Sequence, residues 1–386
     1  MHGPHRPSRG ERPRRRRIAA ALTAPALAAA ALVGPAASGA NAAPATCFGA
    51  VATVTGTQGT PGNDVIIGTA GSDRIDGGGG DDSICGLGGN DFLFGGDGGD
   101  SVAGGTGDDQ VDGGLGDDML VGDSPAEGDP SADGGSTGSV GRDRLTGGGG
   151  HDRMFGDNVA AGARAEGGAA DTLHGGDGDD ALTGDSSGAR AFGGGNDIIT
   201  GGDGHDLVIG DSFATFEAEG AGDDVILEGA GGFGFAIGDS QATDGNAGGA
   251  GGDDSIDLGP DGGFGAVGDH VSHFGRAVGA GRDHITGGSG DEIVLVGDSV
   301  TSDATGATAA ADVINGRGGA DRIFGDNVDG VLEATIGDAG GADRLGGGDG
   351  DDLLRGGPGP DGLNGAAGTD DCDGESGADI ETGCEI

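Results

Sequence analysis

The sequence predicts an all-β fold, a solenoid of short parallel strands, and three observations support this prediction. The chain has 386 residues, 99 of them glycine, and it contains neither Trp nor Tyr, so an ordinary globular core is not expected. Aspartates recur every nine residues from Asp64 to Asp118. A large aliphatic residue stands two positions after each of them, as Ile66 does after Asp64. A fixed short period of this kind is typical of stacked repeats.

Residues 1–42 differ in composition from the rest and are predicted to be a signal peptide. Arginines are concentrated between Arg6 and Arg17, an apolar stretch covers residues 18–33, and small residues follow at 40–42, which is the three-part layout of a secretory signal. A membrane anchor is disfavoured because Pro25 interrupts an apolar run shorter than the ~20 residues of a spanning helix. We therefore expect a secreted protein, by either the general or the twin-arginine route.

The charge of the chain favours cations as partners. The formal net charge is −47, and it becomes more negative once the arginine-rich segment is removed. Nucleic acids and anionic membranes require a basic surface, so neither is expected as a partner. The acidic residues recur at fixed offsets from glycine along the chain, which a solvated acidic tail would not show.

The nine-residue unit explains how a cation would be held. Segments such as GGTGDDQVD fit the pattern GGxGxDxUx, in which U is a large aliphatic residue. The middle residue of x-U-x points into the core, because side chains alternate along a strand. The glycines permit left-handed backbone angles and bring carbonyl oxygens together, and the aspartate adds a carboxylate. Such an all-oxygen cage suits Ca²⁺, whereas zinc prefers Cys and His.

The predicted Ca²⁺ ligands are therefore aspartates at the sixth position of the regular turns. They are Asp64, Asp73, Asp82, Asp91, Asp100, Asp109, Asp118, Asp152, Asp180, Asp206, Asp321, Asp352 and Asp361.

These nonapeptides resemble those of the RTX, or haemolysin-type calcium-binding, repeat family, and the resemblance covers residues 59–382. It implies a parallel β-roll with two nonapeptides per turn and Ca²⁺ between successive turns. The segment GAAGTDDCDGESGADIETGC also resembles the cysteine-containing end of secreted members. Family members often use a one-step exporter that reads a C-terminal signal, whereas this chain has a predicted N-terminal signal.

A second, longer period divides the chain further. The tripeptide Gly-Asp-(Ser, Asn or His) recurs at spacings of 26 to 34 residues, and whether its aspartates bind Ca²⁺ is left open. We predict a cap at 43–58, a regular β-roll at 59–123, units with longer loops on one flank at 124–342, and C-terminal repeats with a disulfide cap at 343–386. The aspartates of the tripeptide are Asp123, Asp157, Asp185, Asp211, Asp239, Asp269, Asp298 and Asp326.

Four cysteines are predicted to form two disulfides. An even number of cysteines in an oxidising compartment favours pairing, and three pairings are possible. Only near neighbours touch in a solenoid, so we predict Cys47 with Cys85 and Cys372 with Cys384.

Two turns lack the expected carboxylate. Phe233 and Phe264 lie at or beside its position, so weak or absent Ca²⁺ is predicted there, with the phenylalanines covering the solenoid. The next turn carries Glu292 where aspartate is usual, which makes its site doubtful.

Enzyme motifs are set aside. The repeats begin within about twenty residues of the predicted cleavage site, which leaves no room for a separate catalytic domain, and no HExxH is present. Residues 184–188, GDSSG, match GxSxG, but such matches are expected by chance in a glycine-rich chain, and catalysis needs one nucleophile whereas GDS recurs. His270 and His273 form an HxxH without an evident third ligand.

The sequence thus predicts a secreted repeat protein that binds several Ca²⁺ ions, folds as it binds them, and has a structural, surface-layer, matrix or adhesive role. Two alternatives remain open. One is an esterase-like hydrolase with its site in the expanded GDS loops. The other is a calcium-dependent scaffold that binds a partner through the loops at 124–141 and 158–170.

Overall fold

The computed structural model describes residues 45–123, 139–231 and 234–385, and its strands form three long sheets and one short hairpin. The predicted signal peptide lies outside the described residues. Strand pairing in all three long sheets is parallel, as in Leu93 with Ile75. The predicted all-β parallel solenoid is therefore confirmed. No helix in the described part of the chain is long and apolar enough to cross a membrane.

Sheet A contains 13 strands, and neighbours in the sheet are successive turns of the chain. Leu93, for example, pairs with Ile75 on one side and with Val111 on the other. In chain order the strands are Arg74–Gly79, Phe92–Asp97, Gln110–Leu115, Arg144–Gly149, Thr172–Asp177, Ile198–Asp203, Val225–Leu227, Ser255–Asp257, His284–Thr286, Val313–Asn315, Arg344–Asp349, Gly362–Ala367 and Ile380–Thr382.

Sheet B also contains 13 strands and alternates with sheet A along the chain. Met154 pairs with Leu120 and Leu182 in the turns on either side. Its strands are Val65–Ile67, Ser83–Gly88, Ser101–Thr106, Met119–Val121, Arg153–Phe155, Ala181–Thr183, Leu207–Ile209, Phe235–Ile237, Gly265–Val267, Val294–Val296, Arg322–Phe324, Leu353–Arg355 and Asp371–Asp373.

One apolar core lies between sheets A and B. Each turn adds the middle residue of its x-U-x segments, such as Ile75 from sheet A and Ile84 from sheet B, and both are fully buried. The cluster continues from Ile66 to Cys372. The strand period of two places one side chain per segment inside, as the nonapeptide pattern predicts.

Sheet C is a third parallel sheet, which the repeat pattern does not predict. It is built from the segments expected to be loops, and the segment at 158–170 contains its first strand. Its nine strands are Val159–Glu166, Ser187–Phe192, Phe213–Glu219, Gln241–Ala242, Asn246–Gly248, Val271–Ser272, Ala277–Val278, Val300–Thr301 and Val328–Asp329.

Sheet C covers the outer face of sheet B. The third residue of each sheet B strand points away from the main core, yet Ile237 and Val267 are buried there against Val271 and Val300 of sheet C. Small side chains such as Ala214 fill the rest of sheet C. The expanded units therefore bury a second apolar layer.

The start of sheet B has a different cover. An antiparallel hairpin of Thr46–Cys47 and Ala50–Val51 packs against this outer face at Ala103 and Val121. A disulfide joins Cys47 of the hairpin to Cys85 of sheet B.

A second disulfide closes the other end of the solenoid. Cys372, the last inward residue of sheet B, is bonded to Cys384. Both disulfides match the predicted pairings, which are therefore confirmed.

The second apolar layer gives a testable difference between two aliphatic residues. Ile237→Ala is expected to lower the free energy of unfolding by about 2–5 kcal/mol, because it leaves a cavity between sheets B and C. Leu227→Ala, on the exposed face of sheet A, is expected to change it by less than about 0.5 kcal/mol. Urea denaturation in calcium-containing buffer measures both. Equal, small effects would show that sheet C does not cover Ile237.

Candidate metal centres

The aspartates that precede the sheet A strands form a continuous hydrogen-bonded row, here called the A-ladder. The backbone N–H of each donates to Oδ1 of the aspartate one turn later, as Asp73 does to Asp91 at 2.8 Å and Asp91 to Asp109 at 2.7 Å. The row continues unbroken through the expanded units, where Asp109 donates to Asp143 across 34 residues. Its members are Asp73, Asp91, Asp109, Asp143, Asp171, Asp197, Asp224, Asp254, Asp283, Asp312, Asp343, Asp361 and Asp379.

The acidic residues that precede the sheet B strands form a similar row, here called the B-ladder. It has two parts, with a gap between Asp206 and Glu292. Asp100 donates its backbone N–H to Asp118 at 2.7 Å, and the other links have the same form. The members are Asp64, Asp82, Asp100, Asp118, Asp152, Asp180 and Asp206, followed by Glu292, Asp321, Asp352 and Asp370.

The second carboxylate oxygen of these residues points into a small cradle of oxygens. A Cβ atom placed on Gly77 would lie 2.5 Å from Asp82 Oδ2 and 2.5 Å from the carbonyl oxygen of Gly95 in the next turn. The first glycine of most turns meets the same two groups. Only a residue without a side chain leaves this space open, which explains why glycine occupies the first turn position.

Those Oδ2 atoms are buried and have no hydrogen-bond partner. This holds for Asp82 and Asp100 in the regular region and for Asp361 and Asp370 near the C-terminal end. An unpaired buried carboxylate oxygen is costly unless a cation or a donor satisfies it. The repetition of the same unpaired atom in turn after turn indicates a row of cation positions.

Calcium fits these positions. Ca²⁺ takes six to eight oxygen ligands, and each cradle offers carbonyl and carboxylate oxygens from two stacked turns. Among the residues that the structure describes, no three Asp, Glu, His or Cys side chains cluster in a metal-holding arrangement. The backbone carbonyls would therefore supply most of the ligands, as the glycine-rich turns require.

Burial also changes the acidity of the carboxyl groups. The pKa values of Asp109 and Asp118 are raised to about 7, chiefly because burial disfavours the charged form, while the N–H groups of Asp91 and Asp100 act in the opposite direction. A divalent cation beside these groups would favour the ionised form and remove that penalty.

The predicted ligands do not all share this environment. Eleven of the thirteen have an Oδ2 without a hydrogen-bond partner, whereas Asp64 and Asp73 do not. Asp64 Oδ2 accepts the N–H of Thr60 at 2.6 Å, and Asp73 Oδ2 accepts the N–H of Thr69 at 2.6 Å. The first turn of the solenoid thus satisfies its carboxylates internally.

Several aspartates outside the predicted set have the same geometry. They belong mainly to the A-ladder of the expanded units, where a long segment and not a GGxG turn precedes the aspartate. The spacing could have identified them, since each A-ladder member stands two residues before an inward aliphatic residue and Asp370 stands two residues before Cys372. They are Asp143, Asp171, Asp197, Asp224, Asp254, Asp283, Asp312 and Asp343, together with Asp370.

The gap in the B-ladder lies where the sequence predicts weak sites. Phe233 is outside the described residues, and Gly234 precedes the sheet B strand in its turn. In the same turn, Glu228 replaces the first glycine, and its Oε2 reaches the cradle of Asp206. Burial, and then the charge of Asp206, raises the pKa of Glu228 to about 8.

The next two turns differ from each other. Phe264 occupies the carboxylate position, packs edge-on against Phe235 with ring centroids 6.0 Å apart, and leaves no carboxylate there. Leu258 fills the place of the first glycine and joins the core. Glu292, by contrast, is fully buried, and its unpaired Oε2 points to the cradle at Gly287.

The Gly-Asp-(Ser, Asn or His) aspartates form a third row, here called the C-ladder, with side chains that are all fully buried. Each carboxylate accepts the N–H of the residue at which its expanded segment ends. Asp185, for example, accepts from Gly195 at 2.9 Å and Asp269 from Gly281 at 2.7 Å. The C-ladder therefore closes the base of every expanded segment.

The motifs set aside in the sequence do not assemble a catalytic centre in the described residues. Ser186 of the GxSxG match is buried at the base of sheet C. His270 is buried and accepts the N–H of Ser240 at 3.2 Å, while the exposed His273 lies near Gln241. The two histidines of the HxxH therefore have separate surroundings.

One substitution tests a regular cradle. Asp109→Asn keeps the Oδ1 that accepts the N–H of Asp91 and removes the charge on the oxygen that faces the cradle. It is expected to reduce bound Ca²⁺ by about one ion per chain. Asp112→Asn, on the exposed face of the next strand, is the control with the same charge change and should bind as the unaltered protein does. Equilibrium dialysis measures both, and equal stoichiometries would argue against the cradle.

Comparison with known proteins agrees with this geometry. The chain matches the family model of the RTX calcium-binding nonapeptide repeat over residues 58–93, 94–124, 137–159, 167–187, 193–216, 277–298, 307–332 and 340–381. No match to a curated protein was found. Repeats of this family bind calcium, and its members are generally structural and typically secreted. Because the matched segments cover more than half of the sequence, this chain belongs to the family of RTX calcium-binding nonapeptide repeat proteins.

Proposed function

We propose that this protein is secreted, takes up Ca²⁺ along its ladders, and folds as it does so, with a structural, surface-layer, matrix or adhesive role outside the cell. The observation that carries the proposal is the row of buried carboxylate oxygens without partners, most of them beside a glycine carbonyl of the next turn. The family membership supports calcium as the ion.

Energetics favour coupling between binding and folding. Each nonapeptide buries one large aliphatic side chain, which contributes about 1.5–3 kcal/mol. Ordering its residues costs roughly 1–2 kcal/mol each, and more for glycine. The stacked carboxylates add electrostatic repulsion. A cation in the cradles removes the repulsion and supplies the missing free energy, so we infer that the chain folds when it meets extracellular calcium.

The proposed ligands are the thirteen aspartates identified from the sequence, with the strongest support at the eleven whose Oδ2 is unpaired. The proposed division of the chain remains a signal peptide at 1–42, a cap at 43–58, a regular roll at 59–123, expanded units at 124–342 and a C-terminal region at 343–386. The two disulfides agree with an oxidising, extracellular location.

No catalytic role is part of the proposal. The GDS tripeptides place their aspartates at the base of sheet C as structural closures, which accounts for their recurrence without a nucleophile. A calcium-dependent partner, at a cell surface or in a matrix, remains compatible with the outer face of sheet C.

Removal of metal tests the proposal directly. Far-ultraviolet circular dichroism of the purified protein is expected to lose most of its β-strand signal in EGTA and to regain it on addition of Ca²⁺, because the ladders cannot stack uncompensated. Addition of Mg²⁺ at the same ionic strength is the control, since its rigid octahedral geometry suits these cradles poorly. A strand signal that persists after exhaustive chelation would contradict coupled folding.

A further inference from the structure

The expanded segments leave the solenoid at one defined point of the turn. Gly141 stacks on the carbonyl of Gly107, the fourth residue of a regular turn, and the carbonyl of Gly122 lies over Gly104, the first residue of that turn. Asp123 therefore occupies the second position. In the described units from Asp157 onward, sheet C is inserted between the second and fourth positions, while the first residue and the A-ladder aspartate keep their places.

This insertion adds a carboxylate at the turn. In a regular turn a single residue links the second position to the fourth. In an expanded turn a longer segment replaces that residue, and the C-ladder side chain spans the two ends of the segment. Asp123 accepts the N–H of Gly141 at 2.8 Å, although 18 residues separate them.

One oxygen of most C-ladder carboxylates remains unsatisfied. The residues concerned are fully buried, and the second oxygen has no hydrogen-bond partner. Asp239 and Asp298 differ, because both oxygens of Asp239 accept the N–H of Gly252, at 3.2 and 3.3 Å, and Asn327 donates to Asp298 at 3.4 Å. The unsatisfied atoms are Asp123 Oδ1, Asp157 Oδ1, Asp185 Oδ1, Asp211 Oδ1, Asp269 Oδ2 and Asp326 Oδ2.

Most of these carboxylates have an A-ladder carboxylate for a neighbour, and some, such as Asp123 beside Asp157, also have one of the C-ladder. Asp197 of the A-ladder is the charged group that acts most strongly on Asp185, and Asp224 is the one that acts most strongly on Asp211. The Oδ2 of Asp197 lies over Gly184, the residue next to Asp185, and it too has no partner. Two buried anions with free oxygens therefore meet at one corner.

We propose that each such corner is a cation site with two carboxylates, one from the C-ladder and one from the A-ladder, and that it binds Ca²⁺. The inference rests on the proposed calcium function and extends it to a site outside the nonapeptide motif. Two carboxylates neutralise one divalent ion, and the carbonyl of the next glycine adds a neutral ligand. The competing explanation is a proton shared between the two carboxyl groups, without metal.

A triple variant separates the two explanations. Asp185→Asn, Asp211→Asn and Asp269→Asn are combined, which keeps an oxygen for the N–H of the returning chain and removes three buried charges. The stoichiometry of bound Ca²⁺, measured by equilibrium dialysis on the full chain, is expected to fall by about three ions. If protons fill these corners, the stoichiometry stays unchanged, and the proposal is overturned.

Two further variants serve as controls. Asp177→Asn, Asp203→Asn and Asp349→Asn change three exposed side chains and should leave the stoichiometry unchanged. The combined B-ladder variant Asp100→Asn, Asp118→Asn and Asp152→Asn should lose about three ions from regular turns. Loss in the B-ladder variant with no loss in the C-ladder variant would overturn this inference and leave the proposed function intact. No calcium bound to the unaltered protein would defeat the proposed function itself.

If the triple variant fails to fold, the single variants Asp185→Asn and Asp211→Asn are measured instead. Native mass spectrometry is suitable, because every bound Ca²⁺ adds a separate mass step. Each is expected to lose one ion, and full calcium occupancy in both would overturn the proposal.

Discussion

The stacking of one aspartate per turn on the next is the interaction on which the rest of this structure depends. Oδ1 accepts the backbone N–H of the equivalent residue one turn earlier, which fixes the register between turns. Oδ2 of the same side chain faces the glycine carbonyls and lacks a partner. One residue thus aligns the strands and supplies the proposed cation ligand, so a turn that is out of register also loses its cradle. In the proposed function, this residue links metal binding to folding at the level of single side chains.

The A-ladder stays continuous although the sequence spacing between its members varies from 18 to 34 residues. Because the additional chain leaves and re-enters within one turn, its length does not disturb the stacking of strands in sheets A and B. The outer face of sheet B becomes apolar where sheet C covers it, as at Ile237 and Val296. The insertion of sheet C at the turn and the apolar side chains on the outer face of sheet B therefore depend on each other.

The nine-residue period was sufficient to predict sheets A and B, their inward side chains and both disulfides, because each follows from strand alternation and nearest-neighbour stacking. Sheet C could not be recognised in the same way. Its strands are rich in small residues, such as Ala214 and Ala242, and show no strong alternation. A second signal was available in the third residue of the sheet B strands, since Ile209 and Val267 would otherwise be exposed. Among the predicted ligands, the Oδ2 without a partner separates Asp82 from Asp64, a distinction that depends on the N–H of Thr60 and not on any spacing.

The gap in the B-ladder shows that apolar burial can replace a cation cradle. Where Phe264 stands in place of an acid, Leu258 takes the position of the first glycine and fills the cradle from within. The neighbouring strands Gly265–Val267 and Val294–Val296 are buried along their whole length, because the core lies on one face and sheet C on the other. The two means of holding a turn are alternatives, since a side chain at the first position fills the space that the proposed ion would occupy, whereas a glycine there leaves this space open. Calcium dependence should therefore vary along the solenoid, being strongest in the regular turns, where sheet C is absent, and weakest around Phe264.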